Sequence, residues 1–264
     1  MKRINNKIVW ITGASSGIGE ALTYLLNTKN CKLIISARRE EELNKVKQQC
    51  ATPENIKIIP VDLEDHDKMN LITEKAISLY GKVDVLINNA GISQRSLIKD
   101  TNFEVYKKLI DVNYLGTIAL TKALLPYFIK QKSGNFTTIT SLMGKFGSPY
   151  RSGYCGAKHA LHGFFDVLRM EHEKDNIDVT LICPGFIKTD VAKNALTGNG
   201  SKQEKEDEAT KNGIEPKVLA KKIIAAIEHS KFEVYIGKKE IIAVYIKRFF
   251  PKLLHKIVLK SAVR

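Results

Sequence analysis

The sequence predicts an α/β fold: a doubly wound, mainly parallel, seven-stranded sheet with helices on both faces and a basic amphipathic C-terminal extension. Three observations predict it. Short apolar runs bounded by turn residues alternate with longer amphipathic segments, the pattern of parallel strands joined by right-handed helical crossovers. A Gly-rich turn, Thr12-Gly13-Ala14-Ser15-Ser16-Gly17-Ile18-Gly19, follows the first apolar run and opens the first amphipathic segment. Glycines there permit a tight turn and close backbone approach to a phosphate at a helix N-terminus. No repeat or low-complexity linker interrupts the 264 residues, so 1–264 reads as one domain, long enough to bury a substantial core.

In chain order, the apolar runs predict strands over 8–11, 32–36, 56–61, 83–87, 135–140, 179–183 and 234–236. The periodic segments between them predict helices over 17–29, 40–50, 67–80, 103–131, 153–174 and 216–229. The segment 190–215 breaks the alternation. It is turn-rich and carries the charged run Lys202-Gln203-Glu204-Lys205-Glu206-Asp207-Glu208, so it reads as a solvated surface insertion or as a mobile lid. In 240–264, aliphatic and aromatic residues alternate with Lys and Arg at helical spacing, and Pro251 opens a second short helix. Such a tail either packs its apolar face on the domain or lies on an anionic membrane surface.

The net charge is +14, from 42 Lys and Arg against 28 Asp and Glu. Residues 238–264 hold eight Lys or Arg and one acid, Glu240, so half of the excess lies in the tail. A basic balance permits nucleic-acid binding, but no motif for it accompanies the charge. The four cysteines, Cys31, Cys50, Cys155 and Cys183, lack metal-ligand spacing and read as reduced, mostly buried thiols of a cytoplasmic protein. His159 and His162 sit three apart without a Cys or carboxylate at ligand spacing, so no metal site is expected. The polar N-terminus carries no secretory signal, and no apolar run approaches the roughly 20 residues of a membrane span.

The residues also suggest a chemistry. Tyr154 and Lys158 share one helix face at i and i+4, with Ser141 thirteen residues upstream. A phenol beside an ammonium is a proton donor whose pKa is pulled toward neutrality. With a phosphate loop in the same chain, this points to hydride transfer between a nicotinamide and a carbonyl or alcohol. The second strand ends in Ser36-Ala37-Arg38-Arg39. An NAD site wants an acid there for the ribose 2′-hydroxyl, whereas two guanidiniums suit a 2′-phosphate, so NADP(H) is the expected cofactor.

These motifs, in this order, resemble the short-chain dehydrogenase/reductase family, its single-domain NADP(H)-preferring branch, over residues 7–237. The resemblance implies that Ser141, Tyr154 and Lys158, joined by Asn113 of Asp111-Val112-Asn113-Tyr114, form a catalytic tetrad. It implies cofactor contacts from Gly13, Ser15, Ser16, Gly17, Ile18 and Gly19, and from Arg38, Arg39, Asp62 and Leu63. Asn89, Ala90 and Gly91 of the Asn-Asn-Ala-Gly motif join them, as do Tyr154, Lys158, Pro184, Gly185, Ile187 and Thr189. It further implies a lid at 190–215 and a homodimer or homotetramer built on the two long helices. Leu142, Met143, Phe146, Phe186 and Ile92 suggest a hydrophobic ketone or secondary alcohol: steroid-, retinoid- or lipid-like. From another class, a non-catalytic NADP(H)-binding regulatory or scaffold protein would use the same fold without turnover.

Overall fold

A computed structural model describes residues 3–261; the N-terminal two and C-terminal three residues of the predicted domain lie outside the described range. Seven strands form one sheet in the order β3-β2-β1-β4-β5-β6-β7, and every strand pair is parallel. The strands are β1 (Ile8–Thr12), β2 (Lys32–Ser36), β3 (Ile56–Ile58), β4 (Val85–Asn88), β5 (Gly134–Ile139), β6 (Ile177–Pro184) and β7 (Glu233–Ile236). Helices α1 (Gly17–Asn27), α2 (Glu40–Gln48), α3 (Met69–Tyr80), α4 (Phe103–Ile110), α5 (Gly116–Gln131), α6 (Ser152–Glu171), α7 (Glu208–Lys211) and α8 (Pro216–Glu228) cover its faces. Two more, α9 (Ile242–Phe249) and α10 (Pro251–Lys260), form the tail.

The apolar strands are buried on both faces, and the period-2 alternation of side chains divides them between two cores. Val9 and Ile11 of β1, Leu33 and Ile35 of β2, and Val85 and Ile87 of β4 join Leu22 and Leu26 of α1 and Leu219 and Ile223 of α8. Trp10, Ile34 and Leu86, one step out of phase, join Leu124 and Phe128 of α5 and Leu161 and Phe165 of α6.

One feature differs from the sequence expectation, and two segments whose placement the sequence leaves open take definite positions. The single helix expected over 103–131 is broken by a π-helical turn, Asp111–Leu115, between α4 and α5. The segment 190–215 is exposed at most of its positions, yet backbone hydrogen bonds and the buried Ala192, Ala195 and Leu196 hold it to the domain. Leu196 N–H donates to Ser93 O (2.9 Å), Arg95 N–H to Leu196 O (2.8 Å) and Asn102 N–H to Gly198 O (2.8 Å), tying it to the loop after β4. The tail packs on the domain: Leu254 is buried with Leu142, Phe146 and Cys183, and Ala243, Val244, Ile246 and Val258 pack around them.

Candidate active site

The site lies at the C-terminal ends of the strands, where sheet order reverses between β1 and β4 and open α/β sheets bind ligands. Ser141 follows β5 in extended backbone, and its hydroxyl accepts from Met143 N–H at 3.1 Å. Tyr154 and Lys158 occupy successive turns of α6. The start of that helix is held by Gln94, whose fully buried Oε1 accepts from the N–H of Gly153 (2.8 Å) and Tyr154 (3.4 Å). Free N–H groups of a first helical turn need such partners, so Gln94 fixes where Tyr154 stands. Nothing in the sequence marks it for that role.

Asn113 belongs to the π turn and is fully buried. Its amide spans the Ile92 backbone, donating to Ile92 O (3.0 Å) and accepting from Ile92 N–H (2.8 Å). A Cβ on Gly91 would stand 2.7 Å from Asn113 Oδ1 and 3.5 Å from Lys158 Nζ. The two groups therefore border one small space that only glycine leaves open. Lys158 Nζ donates to Ile139 O at 2.9 Å and lies 5.8 Å from the Tyr154 ring centroid.

Burial sets the charges of this pair. It lowers the Lys158 ammonium from 10.5 to about 8. It raises the Tyr154 phenol above its ordinary value, and the hydrogen bond with Ser141 opposes that shift only in part. The sequence expectation of a phenol pulled toward neutrality by Lys158 is thus corrected: in the protein alone, desolvation favours the neutral form of both groups.

The expected cofactor residues gather along one cleft of about 430 Å³. It is lined by Gly13, Ser15, Ser16, Gly17 and Ile18, then by Arg38, Arg39, Asp62 and Leu63, and by Asn89, Ala90, Gly91 and Thr189. Gly13 and Gly17 have φ of +65° and +59°, left-handed conformations that side-chain-bearing residues rarely adopt. Gly19 lies one turn into α1. Asn89 rivets the loop, its Nδ2 donating to Thr12 O (2.9 Å) and Gly13 O (3.1 Å), while Thr12 Oγ1 accepts from the Asn89 and Ala90 N–H groups. Arg38 and Arg39 are exposed at the far end, and Lys108 and Lys202, not among the expected cofactor residues, line the same cleft. The donors and shape fit a dinucleotide: glycine backbone at a helix start, and cations at the other end.

The cleft shares Ile18, Gly91, Ile92 and Thr189 with a second cavity of about 570 Å³. Ser141, Tyr154, Lys158, Pro184, Gly185 and Ile187 line it, as do all five expected apolar residues, Ile92, Leu142, Met143, Phe146 and Phe186. The opposite wall comes from Val191, Ala209 and Thr210 of 190–215 and from Ala243, Ile246, Leu254 and Val258 of the tail. Glu240 anchors the tail, accepting from Phe186 N–H (3.2 Å); a Cβ on Gly185 would come within 2.2 Å of the Glu240 carboxylate.

Two charged clusters support these walls. Arg95 Nε donates to Asp207 Oδ2 at 2.9 Å and Arg151 Nη2 at 3.3 Å, with all three side chains under 8% exposed. Burial would raise the Asp207 carboxyl, but hydrogen bonds and charge from Arg95 hold it below its usual range. In the second, Cys183 and Glu233 come together with His162, a grouping of residues distant in sequence that spacing does not reveal. Lys145 Nζ stands 2.6 Å from the Glu233 carboxylate, so an ammonium already supplies that cluster's cation.

Residues 7–200 match the family described as short chain dehydrogenase. The chain is 38% identical over 270 residues to a Drosophila melanogaster dehydrogenase/reductase SDR family protein 7-like, covering 99% of this chain and 82% of that protein. It is 43% identical over 205 residues to human dehydrogenase/reductase SDR family member 7, covering 75% of this chain and 60% of that one. Among solved structures, a short chain dehydrogenase/reductase from Burkholderia phymatum in complex with NAD superposes with a TM-score of 0.85 at 19% identity, covering 96% of each chain. An alcohol dehydrogenase from Thermococcus sibiricus complexed with 5-hydroxy-NADP superposes with a TM-score of 0.74 at 23% identity, covering 88% of this chain and 97% of that one.

Proposed function

The chain belongs to the short-chain dehydrogenase/reductase family, and on that premise we propose that it is an NADPH-dependent reductase of bulky apolar ketones, or the dehydrogenase of the corresponding secondary alcohols. The observation that carries the reading is that the glycine-lined cleft joins, at Ile18, Gly91, Ile92 and Thr189, an apolar cavity whose wall holds Ser141, Tyr154 and Lys158. The nicotinamide cofactor, when bound, supplies or takes the hydride.

The protein's own residues handle the oxygen and its proton. Ser141 Oγ and Tyr154 Oη converge on the position of the substrate oxygen; Ser141 orients it, and the neutral Tyr154 hydroxyl gives it a proton. The raised phenol pKa keeps that proton in place until a negative charge develops on the substrate oxygen. Lys158, whose ammonium lies over the Tyr154 ring, then faces the new phenolate and is placed to return a proton to it. Asn113, across the space that Gly91 leaves open, holds the Ile92 backbone at the far side of that path. Arg38, backed by Arg39, Lys108 and Lys202, favours a cofactor bearing a 2′-phosphate.

Two further readings accompany this one. The exposed apolar residues Val167 and Met170 on α6 support a homodimer, and a monomeric mass by light scattering would reject it. A scaffold protein without turnover predicts NADPH binding alone. The deciding experiment follows NADPH oxidation against ketones, steroids and long-chain lipids with wild type and Tyr154→Phe. Turnover is expected in wild type only, with NADPH still bound by both. Equal turnover in the two proteins would reject the assignment of Tyr154.

A further inference from the structure

The tail leaves apolar surface where a soluble domain has reason to hide it. On α9 and α10, Ala243, Ile246, Leu254 and Val258 turn inward to the cavity. The neighbouring apolar residues stay outside: Ile242, Tyr245, Phe249, Phe250, Leu253 and Ile257 are each between 43% and 70% exposed. Ile242 and Ile257 belong to both sets, lining the cavity while standing 58% and 43% exposed. The apolar strip on the outside is therefore continuous with the mouth of the cavity. A contiguous exposed apolar patch marks a contact surface.

The charges around it select the partner. Between 242 and 260 the chain carries Lys247, Arg248, Lys252, Lys256 and Lys260 and no Asp or Glu, and all five are exposed. Aromatic rings flanked by lysine and arginine are the composition of a helix lying at an anionic lipid interface. The two helices, 8 and 10 residues long, extend about 12–15 Å each at 1.5 Å per residue, which suits lying in the interface. Among the described residues, no helix is long and apolar enough to cross a membrane.

We propose that α9 and α10 dock on an anionic phospholipid surface and that the cavity opens into it between Ile242 and Ile257, so that an apolar substrate enters from the lipid. Docking stands independently of the proposed chemistry; only entry of substrate from the lipid rests on that reading.

The test uses the full chain and vesicles of phosphatidylcholine with and without about one-third phosphatidylserine. Wild type is expected to sediment with the anionic vesicles and to be released as salt rises from about 0.1 M to about 0.5 M. At about fivefold per basic residue, Lys252→Gln with Lys256→Gln weakens binding about 25-fold. Phe249→Ser with Phe250→Ser weakens it about tenfold or more. None of these four residues lines the cavity. Both variants should keep the wild-type kcat on a short water-soluble ketone and show a raised KM only for a ketone dissolved in the vesicles. Three results would overturn docking: wild type left in the supernatant, equal sedimentation with neutral vesicles, or a halved mass in light scattering for the Phe variant, which would give the surface to a second copy of the chain. Docking without any KM difference would overturn entry through the mouth while leaving the chemistry as proposed.

Discussion

Lys158→Met separates what catalysis asks of the site from what folding asks. The Lys158 side chain is only 5% exposed and its pKa falls from 10.5 to about 8, with burial as the leading cause. At about 1.4 kcal/mol per pK unit, keeping this ammonium charged costs the folded state about 3 kcal/mol at neutral pH. The bond to Ile139 O returns about 1 kcal/mol of that. A methionine of similar length therefore stabilises the protein without cofactor by about 2 kcal/mol, while removing the proposed proton carrier. For a chain of this size that is a rise in Tm of about 4–8 °C. The sign with pH follows from the lowered value. Between about 8 and 10.5 the unfolded chain holds the proton more tightly than the folded one, so wild-type stability rises with pH across that window. The advantage of the variant is full below pH 8 and fades by pH 10.5. Thermal unfolding of both proteins at pH 7 and near pH 10 measures it. A variant less stable than wild type at pH 7, or a difference independent of pH, would refute the claim that desolvation dominates this site.

Three substitutions probe the surroundings. Arg38→Ala should weaken NADPH binding about ten- to hundredfold, the worth of a charge-assisted phosphate contact, and leave NADH unchanged in a fluorescence titration. Asp207→Asn leaves Arg95 and Arg151 without their shared carboxylate and should cost about 3 kcal/mol in urea unfolding, with 190–215 cut first by protease. The lowered Asp207 pKa makes this contribution present above pH 3.8 and lost as acid protonates the folded carboxylate, so the two proteins should converge in strong acid. Gly185→Ala drives a methyl into the Glu240 carboxylate and should raise the KM of apolar substrates; adding Glu240→Ala should restore it, and failure of that rescue would place the clash elsewhere.

The parts of this site that were legible in the sequence are those whose geometry is local. The glycine turn follows a strand and starts a helix, Tyr154 and Lys158 sit one turn apart, and Arg38 lies two residues beyond the end of a strand, so spacing alone places them. The all-parallel sheet was legible because both of its faces are covered, which makes its strands near-continuous apolar runs. What was missed depends on pairs distant in sequence. Asp207 meets Arg95 across 112 residues, and within the run Lys202 to Glu208 nothing distinguishes it from its solvated neighbours. Gln94 and Glu240 look like ordinary polar surface until their partners, the start of α6 and the turn after β6, are in place. The π turn was hidden because its residues continue a helical apolar pattern without a break.

The two walls of the cavity are built differently, and the difference bears on how the protein works. Ser141 follows β5, and Tyr154 and Lys158 stand on α6, elements that hydrogen-bonded ladders and the second core hold in place. The opposite wall, 190–215 and α9–α10, is held by the Arg95–Asp207–Arg151 cluster, by Glu240 and by the small cluster around Leu254. Elements with few buried contacts open at lower free energy than core elements. Chemistry is thus fixed on the rigid wall and substrate selection falls to the loosely tied one. If the proposed function holds, substitutions in the tail should register in the KM of apolar substrates long before they register in kcat, because the tail lines the cavity without touching Ser141, Tyr154 or Lys158 in the hydrogen bonds that hold them.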